Sequence, residues 1–128
     1  MRSPFIVIAC VLGLLAVALG AFGAHALSTS ISESRKATWA TAVDYHIFHV
    51  LAMLALAAVF RGEQSPWVVR AKTSFVIGIC LFSGSLYALV AFDVPALGVV
   101  TPFGGFCFML GWLCAGLAAF TSHDPGHD

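Results

Sequence analysis

Residues 4–24 read PFIVIACVLGLLAVALGAFGA, an apolar stretch without a charged side chain. Three further stretches, residues 38–60, 73–92 and 102–122, are also strongly apolar, and no Lys or Arg lies in the middle of any of the four. A helix of about 20 residues crosses the roughly 30 Å of hydrocarbon in a bilayer. The sequence therefore predicts an all-α integral membrane protein, an antiparallel bundle of four transmembrane helices.

The composition excludes a soluble protein of this size. Of the 128 residues, 60% are hydrophobic and only 9% are charged, whereas soluble domains carry about 25% charged residues. Too few residues remain outside the four spans for a second domain, so we expect one membrane domain over residues 1–128 in contact with the lipid bilayer. The formal net charge is zero, and no nucleic-acid partner is expected without a basic surface.

The basic residues outside the spans predict the orientation. Both termini and the second loop of a four-span protein lie on one side, and that side holds four basic residues against two on the other. By the positive-inside rule, both termini face the cytoplasm, and loops 25–37 and 93–101 face the periplasm or the topologically equivalent space. The four are Arg2, Arg61, Arg70 and Lys72, and the two are Arg35 and Lys36. Ala24-His25-Ala26 resembles a signal-peptide cleavage site, but the preceding stretch is longer than a signal core and is predicted to be the first span.

Small residues recur along the first span at spacings of three and four, which places them on one helix face. They are Ala9, Gly13, Ala16, Gly20 and Gly23. Such a stripe lets two helix backbones approach closely in lipid, where no hydrophobic force drives helices together. At the start of the second span, Ser30 with Glu33 three residues later matches a capping box.

No sequence motif indicates catalysis. Four cysteines, Cys10, Cys80, Cys107 and Cys114, lie inside apolar stretches without a CxxC or CxxCH pattern, which favours a packing role over zinc, redox or haem chemistry. The chain also lacks a metalloprotease motif and a recognisable pair of nucleophile and base. We therefore expect a protein that is not an enzyme.

Polar side chains gather at one depth of the bundle, in the predicted outer leaflet or its interface. Ionisable groups at membrane depth are costly and are candidates for function. The candidate ligand-binding residues are His25, Asp44, Tyr45, His46 and His49, with Tyr87 and Asp93 nearby on the third span. We expect His25 and His49 to be linked across helices to each other, to Tyr45 or to Tyr87.

Several interpretations of this cluster remain open. The commonest is structural hydrogen bonding between helices, and a site for a ligand or lipid headgroup is the next. A metal site of two or three histidines, axial ligation of a b-type haem, and a proton relay are the others. Asp44 has a simpler interpretation too, a position at the water interface near a helix amino end. Trp112 lies in the middle of the fourth span, where it is interpreted as filling the bundle or facing acyl chains.

Several motifs together resemble the YgdD-like family of small four-span membrane proteins of bacteria, which has mitochondrial relatives and an unknown function. They are Gly20-Ala21-Phe22-Gly23-Ala24-His25, Thr41-Ala42-Val43 with Tyr45 and His49, Ser83-Gly84-Ser85-Leu86-Tyr87, Thr101-Pro102-Phe103-Gly104-Gly105, and Gly111-Trp112. The resemblance covers essentially the whole chain. The family pattern implies an amide or another polar residue where this sequence has His46, which favours His25, Tyr45 and His49 as shared candidates.

Two functions are consistent with these features. The small size and the small-residue faces favour a structural or accessory subunit that packs against a larger membrane complex, or a homo-oligomer. The alternative is a module that binds or transports a ligand, metal or haem through the outer-leaflet cluster of histidines and tyrosines.

Overall fold

The computed structural model of the protein describes residues 3–122. Over that range the chain is helical, without a strand, and four segments are long and apolar enough to span a membrane. The helices are α1 (Pro4–His25), α2 (Glu33–Val59), α3 (Pro66–Gly78), α4 (Gly84–Phe92) and α5 (Thr101–Thr121), with a π-helical turn (Ile79–Ser83) between α3 and α4 and a 3-10 turn (Pro95–Val99) before α5. The predicted all-α membrane architecture is confirmed. Predictions that concern Arg2 and the carboxyl-terminal tail lie outside the described residues.

Serine side chains cap the amino ends of α2 and α3. Ser32 precedes α2, and its hydroxyl accepts a hydrogen bond from the Arg35 N–H at 3.3 Å. The predicted capping box was wrong, because Glu33 is the first helical residue and Ser30 instead donates to the Ala26 carbonyl at 3.1 Å. Capping by side chains allows a helix to start in polar sequence, so α2 begins before the apolar stretch that starts at residue 38.

An ion pair closes the bundle at the end that carries the α1–α2 loop, which we call the loop end. Asp93 terminates α4 in the left-handed conformation, with φ 53°. Its carboxylate lies 2.7 Å from the Arg35 guanidinium, which also donates to the Leu89 carbonyl at 3.0 Å. The start of α2 is therefore tied to the end of α4.

The small-residue stripe of α1 packs against a neighbouring helix, as predicted, and that helix is α2. Ala9 and Ala16 are the buried residues of α1, and a Cβ atom added at Gly13 or Gly20 would lie 3.3 Å from a valine side chain of α2. Gly23 lies under the Trp39 ring, whose indole N–H donates to the Leu19 carbonyl at 2.9 Å. The remaining surface of α1 is exposed, so α1 occupies an edge of the bundle.

Glycines on α5 and α3 receive aromatic rings from the opposite helix. A Cβ atom at Gly111 of α5 would lie 2.6 Å from ring atoms of Phe75 on α3. In the same way, the Phe108 ring of α5 occupies the space that a side chain at Gly78 of α3 would need. Gly104 lies directly on the backbone of the π-helical turn at Phe82. This packing holds α5 against the third span, which is the segment Pro66–Phe92 formed by α3, the π-helical turn and α4. The second helix, α2, lies on another side of that span.

Candidate functional site

Two hydrogen bonds fix the ring of His49, which is 3% exposed on α2. Its Nδ1 lies 2.8 Å from the Tyr45 carbonyl oxygen one turn earlier, and Trp112 of α5 donates its indole N–H to His49 Nε2 at 3.1 Å. An indole nitrogen can only donate, so Nε2 must accept and Nδ1 must carry the proton given to Tyr45. His49 is therefore a neutral imidazole with both nitrogens engaged.

Aromatic rings enclose this histidine. The Phe108 ring of α5 stacks on it with centroids 3.6 Å apart and an interplanar angle of 8°. Phe75 of α3 approaches at 5.4 Å. The backbones of α2 and α5 are not closely packed, so side-chain contacts such as the Phe108 stacking and the Trp112 hydrogen bond connect the two helices.

A second histidine pairs with the third span. His46, also 3% exposed, lies with Nδ1 2.9 Å from the hydroxyl of Tyr87 on α4. The Tyr87 ring packs against Trp39, with centroids 4.8 Å apart. The Leu12 carbonyl of α1 faces the His46 ring, but Nε2 has no partner in hydrogen-bonding geometry among residues 3–122. His46 therefore lies at the junction of three spans.

The π-helical turn brings hydroxyl groups into the same region. Ser83, which is fully buried, donates to the Ala42 carbonyl of α2 at 2.7 Å. Ser85 lies 2.7 Å from the Thr101 hydroxyl at the start of α5. Each bond crosses between helices, so the third span is fastened by polar groups to α2 on one side and to α5 on the other.

A cleft of about 640 Å³ separates α2 from α5 on the bundle surface. Its walls are mostly aromatic, and several rim residues are exposed where lipid would lie, among them Phe48, Phe106 and Met109. The lining consists of Asp44, Tyr45, Phe48 and His49 of α2, Phe82 of the π-helical turn, and Pro102, Gly105, Phe106, Phe108, Met109 and Trp112 of α5. The His49–Trp112 hydrogen bond thus forms part of the cleft wall.

Asp44 is the only charged residue of this lining. Its side chain is exposed, and neither ion pair of the described chain, Arg35–Asp93 or Lys36–Glu33, includes it. The interpretation of Asp44 as a residue near the amino end of its helix was wrong, because α2 begins at Glu33, about 16 Å earlier along the axis. The carboxylate lies beside an apolar cleft, on the part of that cleft nearest the loop end.

Asp44 also borders a second, smaller cleft of about 390 Å³ between α1 and α2. This cleft includes Trp39 and Lys36, and it reaches the α1–α2 loop at Ser28. The carboxylate therefore lies where the two surface clefts on either flank of α2 meet.

The structure separates the five predicted site residues. Asp44, Tyr45 and His49 line the α2–α5 cleft, while His46 faces Tyr87 inside the bundle. His25 is exposed at the end of α1, and its side chain makes no hydrogen bond within the described range. His49 lies close to Tyr45, as expected, but its hydrogen bond there is to the main-chain carbonyl within α2. The expected cross-helix bonds of His25 and His49 to each other or to a tyrosine were wrong, because His49 binds Trp112 and Tyr87 binds His46.

The arrangement does not fit a metal site built from His49. Both of its ring nitrogens are already engaged, so no lone pair is free to ligate a metal or a haem iron. Between residues 3 and 122, no group of three or more His, Cys, Asp or Glu side chains is placed to hold a metal ion. The four cysteines are unpaired thiols.

Trp112 was not among the site residues predicted from the sequence. A signal was present, because a tryptophan in mid-span lies far from the interfacial belt that supplies water, and its indole N–H then needs an acceptor from the protein. What the sequence does not give is the rotation of α5, which decides that the acceptor is His49. Phe108 was missed for the same reason.

Comparison with known proteins agrees with this architecture. Residues 19–105 match the family described as Protein of unknown function (DUF423). The chain belongs to this family. The matched range includes Asp44, Tyr45 and His49 and ends before Trp112. This match and the relatives named below confirm the resemblance to the YgdD-like family.

Relatives of similar length are named as membrane proteins. The chain is 38% identical over 118 residues to the UPF0382 membrane protein YwdK of Bacillus subtilis, covering 90% of this chain and 94% of YwdK. It is 40% identical over 113 residues to the UPF0382 inner membrane protein YgdD of Escherichia coli K12, covering 88% and 86%. A UPF0382 membrane protein of Haemophilus influenzae is 39% identical over 124 residues, covering 95% and 98%. No solved structure gives a significant match.

Proposed function

We propose that this protein is a membrane module without enzymatic activity that binds an amphiphilic small molecule in the α2–α5 cleft. The observation that carries the proposal is the cleft itself, an aromatic groove at the lipid-facing surface with one unpaired carboxylate among its lining residues. Its volume of about 640 Å³ lies within the range of small-molecule sites, which combine apolar walls with a few polar groups.

The distribution of polarity in the cleft supports an amphiphile rather than a polar solute. Asp44 and the Tyr45 backbone lie toward the loop end, whereas Phe108, Met109 and Trp112 continue toward the middle of the bilayer. Along α5 the lining extends from Pro102 to Trp112, about 15 Å of helix. A molecule with a polar head and a compact apolar body matches this gradient.

The His49–Trp112 hydrogen bond supports binding because it fixes two side chains of the cleft wall before a ligand binds. A wall whose rings are fixed by stacking and by a hydrogen bond loses little conformational entropy when a ligand arrives. With both termini in the cytoplasm, as the basic residues predict, the cleft would open into the outer leaflet, and a ligand would reach it laterally from the bilayer.

Fluorine NMR offers a test of cleft occupancy. The protein would be labelled with 5-fluorotryptophan, placed in lipid nanodiscs and titrated with the neutral amphiphile N-phenyl-1-naphthylamine. The Trp112 resonance, assigned by Trp112→Phe, should shift saturably because its ring lines the cleft, while the Trp67 resonance should not. A linear drift of all resonances would indicate partition into lipid and would contradict the proposal.

A matched pair of α5 variants sharpens this test. Gly105→Leu should fill the cleft, because Gly105 lines it and a Cβ atom there has its nearest neighbour at 3.8 Å. Gly116→Leu adds the same side chain where nothing lies within 4 Å of a Cβ atom. Loss of the saturable shift in Gly105→Leu alone supports the proposal, and equal behaviour of the two variants opposes it.

The exposed surface of α1 favours a second candidate, an accessory subunit or homo-oligomer. Leu14 is 71% exposed and Val17 is 66% exposed, on a helix that contributes only two buried residues. A benzophenone amino acid at Leu14 would test this by photo-crosslinking in native membranes. A discrete adduct with one membrane protein or with a second copy supports the candidate, and adducts with lipid alone oppose it.

A further inference from the structure

We infer that the ligand of the α2–α5 cleft is a lipophilic organic cation whose positive charge pairs with Asp44. This inference rests on the proposed function, because it names the class of molecule that the same cleft would take. Three observations lead to it: the isolation of the carboxylate, the engagement of the nearby basic side chains, and the aromatic character of the walls.

The isolation of Asp44 is the first step. Asp44 follows Arg35 by nine residues on α2, so it lies about 13 Å, or more than two turns, along the helix axis from the Arg35–Asp93 ion pair. A carboxylate on a membrane-spanning helix beside an apolar cleft is costly unless an opposite charge or hydrogen-bond donors reach it. A cationic ligand would remove that cost on binding, so the unpaired carboxylate provides affinity for positive charge.

The nearby basic side chains of the described chain are the second step. The Arg35 guanidinium is held by Asp93 and the Leu89 carbonyl, and the Lys36 ammonium lies 2.7 Å from Glu33. Lys36 borders the smaller cleft but precedes Asp44 by eight residues on α2, about 12 Å along the axis. A cation for Asp44 would therefore come from another molecule.

The walls of the cleft are the third step. Aromatic faces attract cations through their quadrupoles, and the lining offers Tyr45, Phe106 and Trp112 beside the apolar Met109. The lining includes no Lys or Arg, so an anion would meet Asp44 without a compensating charge. A delocalised cation with an apolar body satisfies both the carboxylate and the rings.

Equilibrium dialysis against protein-loaded and empty nanodiscs would test the inference with tetraphenylphosphonium as the cation. Tetraphenylborate, an anion of the same shape, is the matched ligand, and N-phenyl-1-naphthylamine is the neutral one. Asp44→Asn should weaken tetraphenylphosphonium binding by about tenfold or more, and Asp44→Glu should largely restore it. Asp93→Asn removes a carboxylate outside the cleft and should change the affinity by less than about twofold.

The outcomes separate this inference from the proposed function. Saturable binding of tetraphenylphosphonium that depends on Asp44, with little binding of tetraphenylborate, supports the inference. Equal affinity for the two ions, or an unchanged affinity in Asp44→Asn while the neutral naphthylamine still binds, overturns the cation assignment and leaves the cleft as a binding site. If none of the three ligands binds saturably, both the proposed function and the inference fail.

Discussion

At the scale of single residues, His49 shows how this protein accommodates an imidazole at membrane depth. Hydrocarbon provides no hydrogen-bond partners, so a polar ring there must find them in the protein. The Tyr45 carbonyl accepts from one nitrogen and the Trp112 indole donates to the other. Both ring nitrogens therefore have hydrogen-bond partners while the imidazole is neutral, and the ring joins two helices whose backbones lie apart.

A double-mutant cycle should measure the energy of this link. His49→Ala, Trp112→Phe and the double variant should give a coupling free energy of about 0.6–2 kcal/mol, the range found for polar contacts between membrane helices. Reversible unfolding in mixed micelles would provide the four stabilities. A coupling near zero would mean that the bond seen here contributes nothing to holding α2 and α5 together.

The two tyrosines of the chain offer a matched comparison for His46. Tyr87→Phe removes the hydroxyl that His46 binds at 2.9 Å, and a buried polar group that loses its partner costs about 1–3 kcal/mol. Tyr45→Phe removes a hydroxyl from a ring that is 45% exposed and should cost less than about 0.5 kcal/mol. Thermal unfolding of both variants in one detergent provides the comparison, and equal losses would show that the Tyr87 hydroxyl does not support His46.

At the scale of helices, the elements were predictable because their signals are local. The lengths of the apolar stretches identified four spans. The spacing of Gly13, Gly20 and Gly23 identified the face of α1 that packs against a neighbouring helix, which the structure shows to be α2. The π-helical turn Ile79–Ser83 was not predicted. One extra residue in such a turn rotates all later residues by about 100° around the helix, so the face presented by Tyr87 does not follow from regular helical spacing in α3.

Glycine packing at the α3–α5 interface can be tested with a methyl group. Gly111→Ala should destabilise the bundle by about 1–3 kcal/mol, because the added Cβ atom would lie 2.6 Å from the Phe75 ring and force the helices apart. Gly116→Ala on the same helix meets nothing within 4 Å and should be neutral or slightly stabilising, since alanine favours helix more than glycine. Denaturation of the two variants side by side would reveal the difference, and a neutral Gly111→Ala would contradict the packing described for α5.

At the scale of the whole molecule, the orientation in the membrane determines which leaflet the cleft faces. We expect reporter fusions after residue 128 to be active in the cytoplasm and insertions in the 28–36 loop to be active on the other side, because more basic residues flank the terminal side. Alkaline phosphatase and fluorescent-protein fusions would provide both readings. A periplasmic carboxyl terminus would place the cleft and Asp44 in the inner leaflet.

The candidate site was predictable only in part, for a reason that applies to the whole bundle. Depth follows from position along a helix, so Asp44, Tyr45 and His49 could be grouped from the sequence. The hydrogen-bond partner of a side chain depends on how each helix is rotated and on which helices are neighbours. The bond from Trp112 to His49 and the cleft between α2 and α5 could therefore not be derived from the sequence. His25 lies at the loop end of the edge helix, whereas Gly13 of that helix is level with Val50 beside His49, so the depth of His25 was predicted wrongly as well.

Native mass spectrometry of protein released gently from its own membrane tests the central claim, the occupancy of the α2–α5 cleft, most directly. We predict that the wild-type protein and Gly116→Leu carry one and the same small molecule in a one-to-one complex, and that Gly105→Leu, which fills the cleft, has lost it. A bound mass that is identical in the three proteins, or wild-type protein that carries only a broad mixture of bulk lipids, would contradict the account.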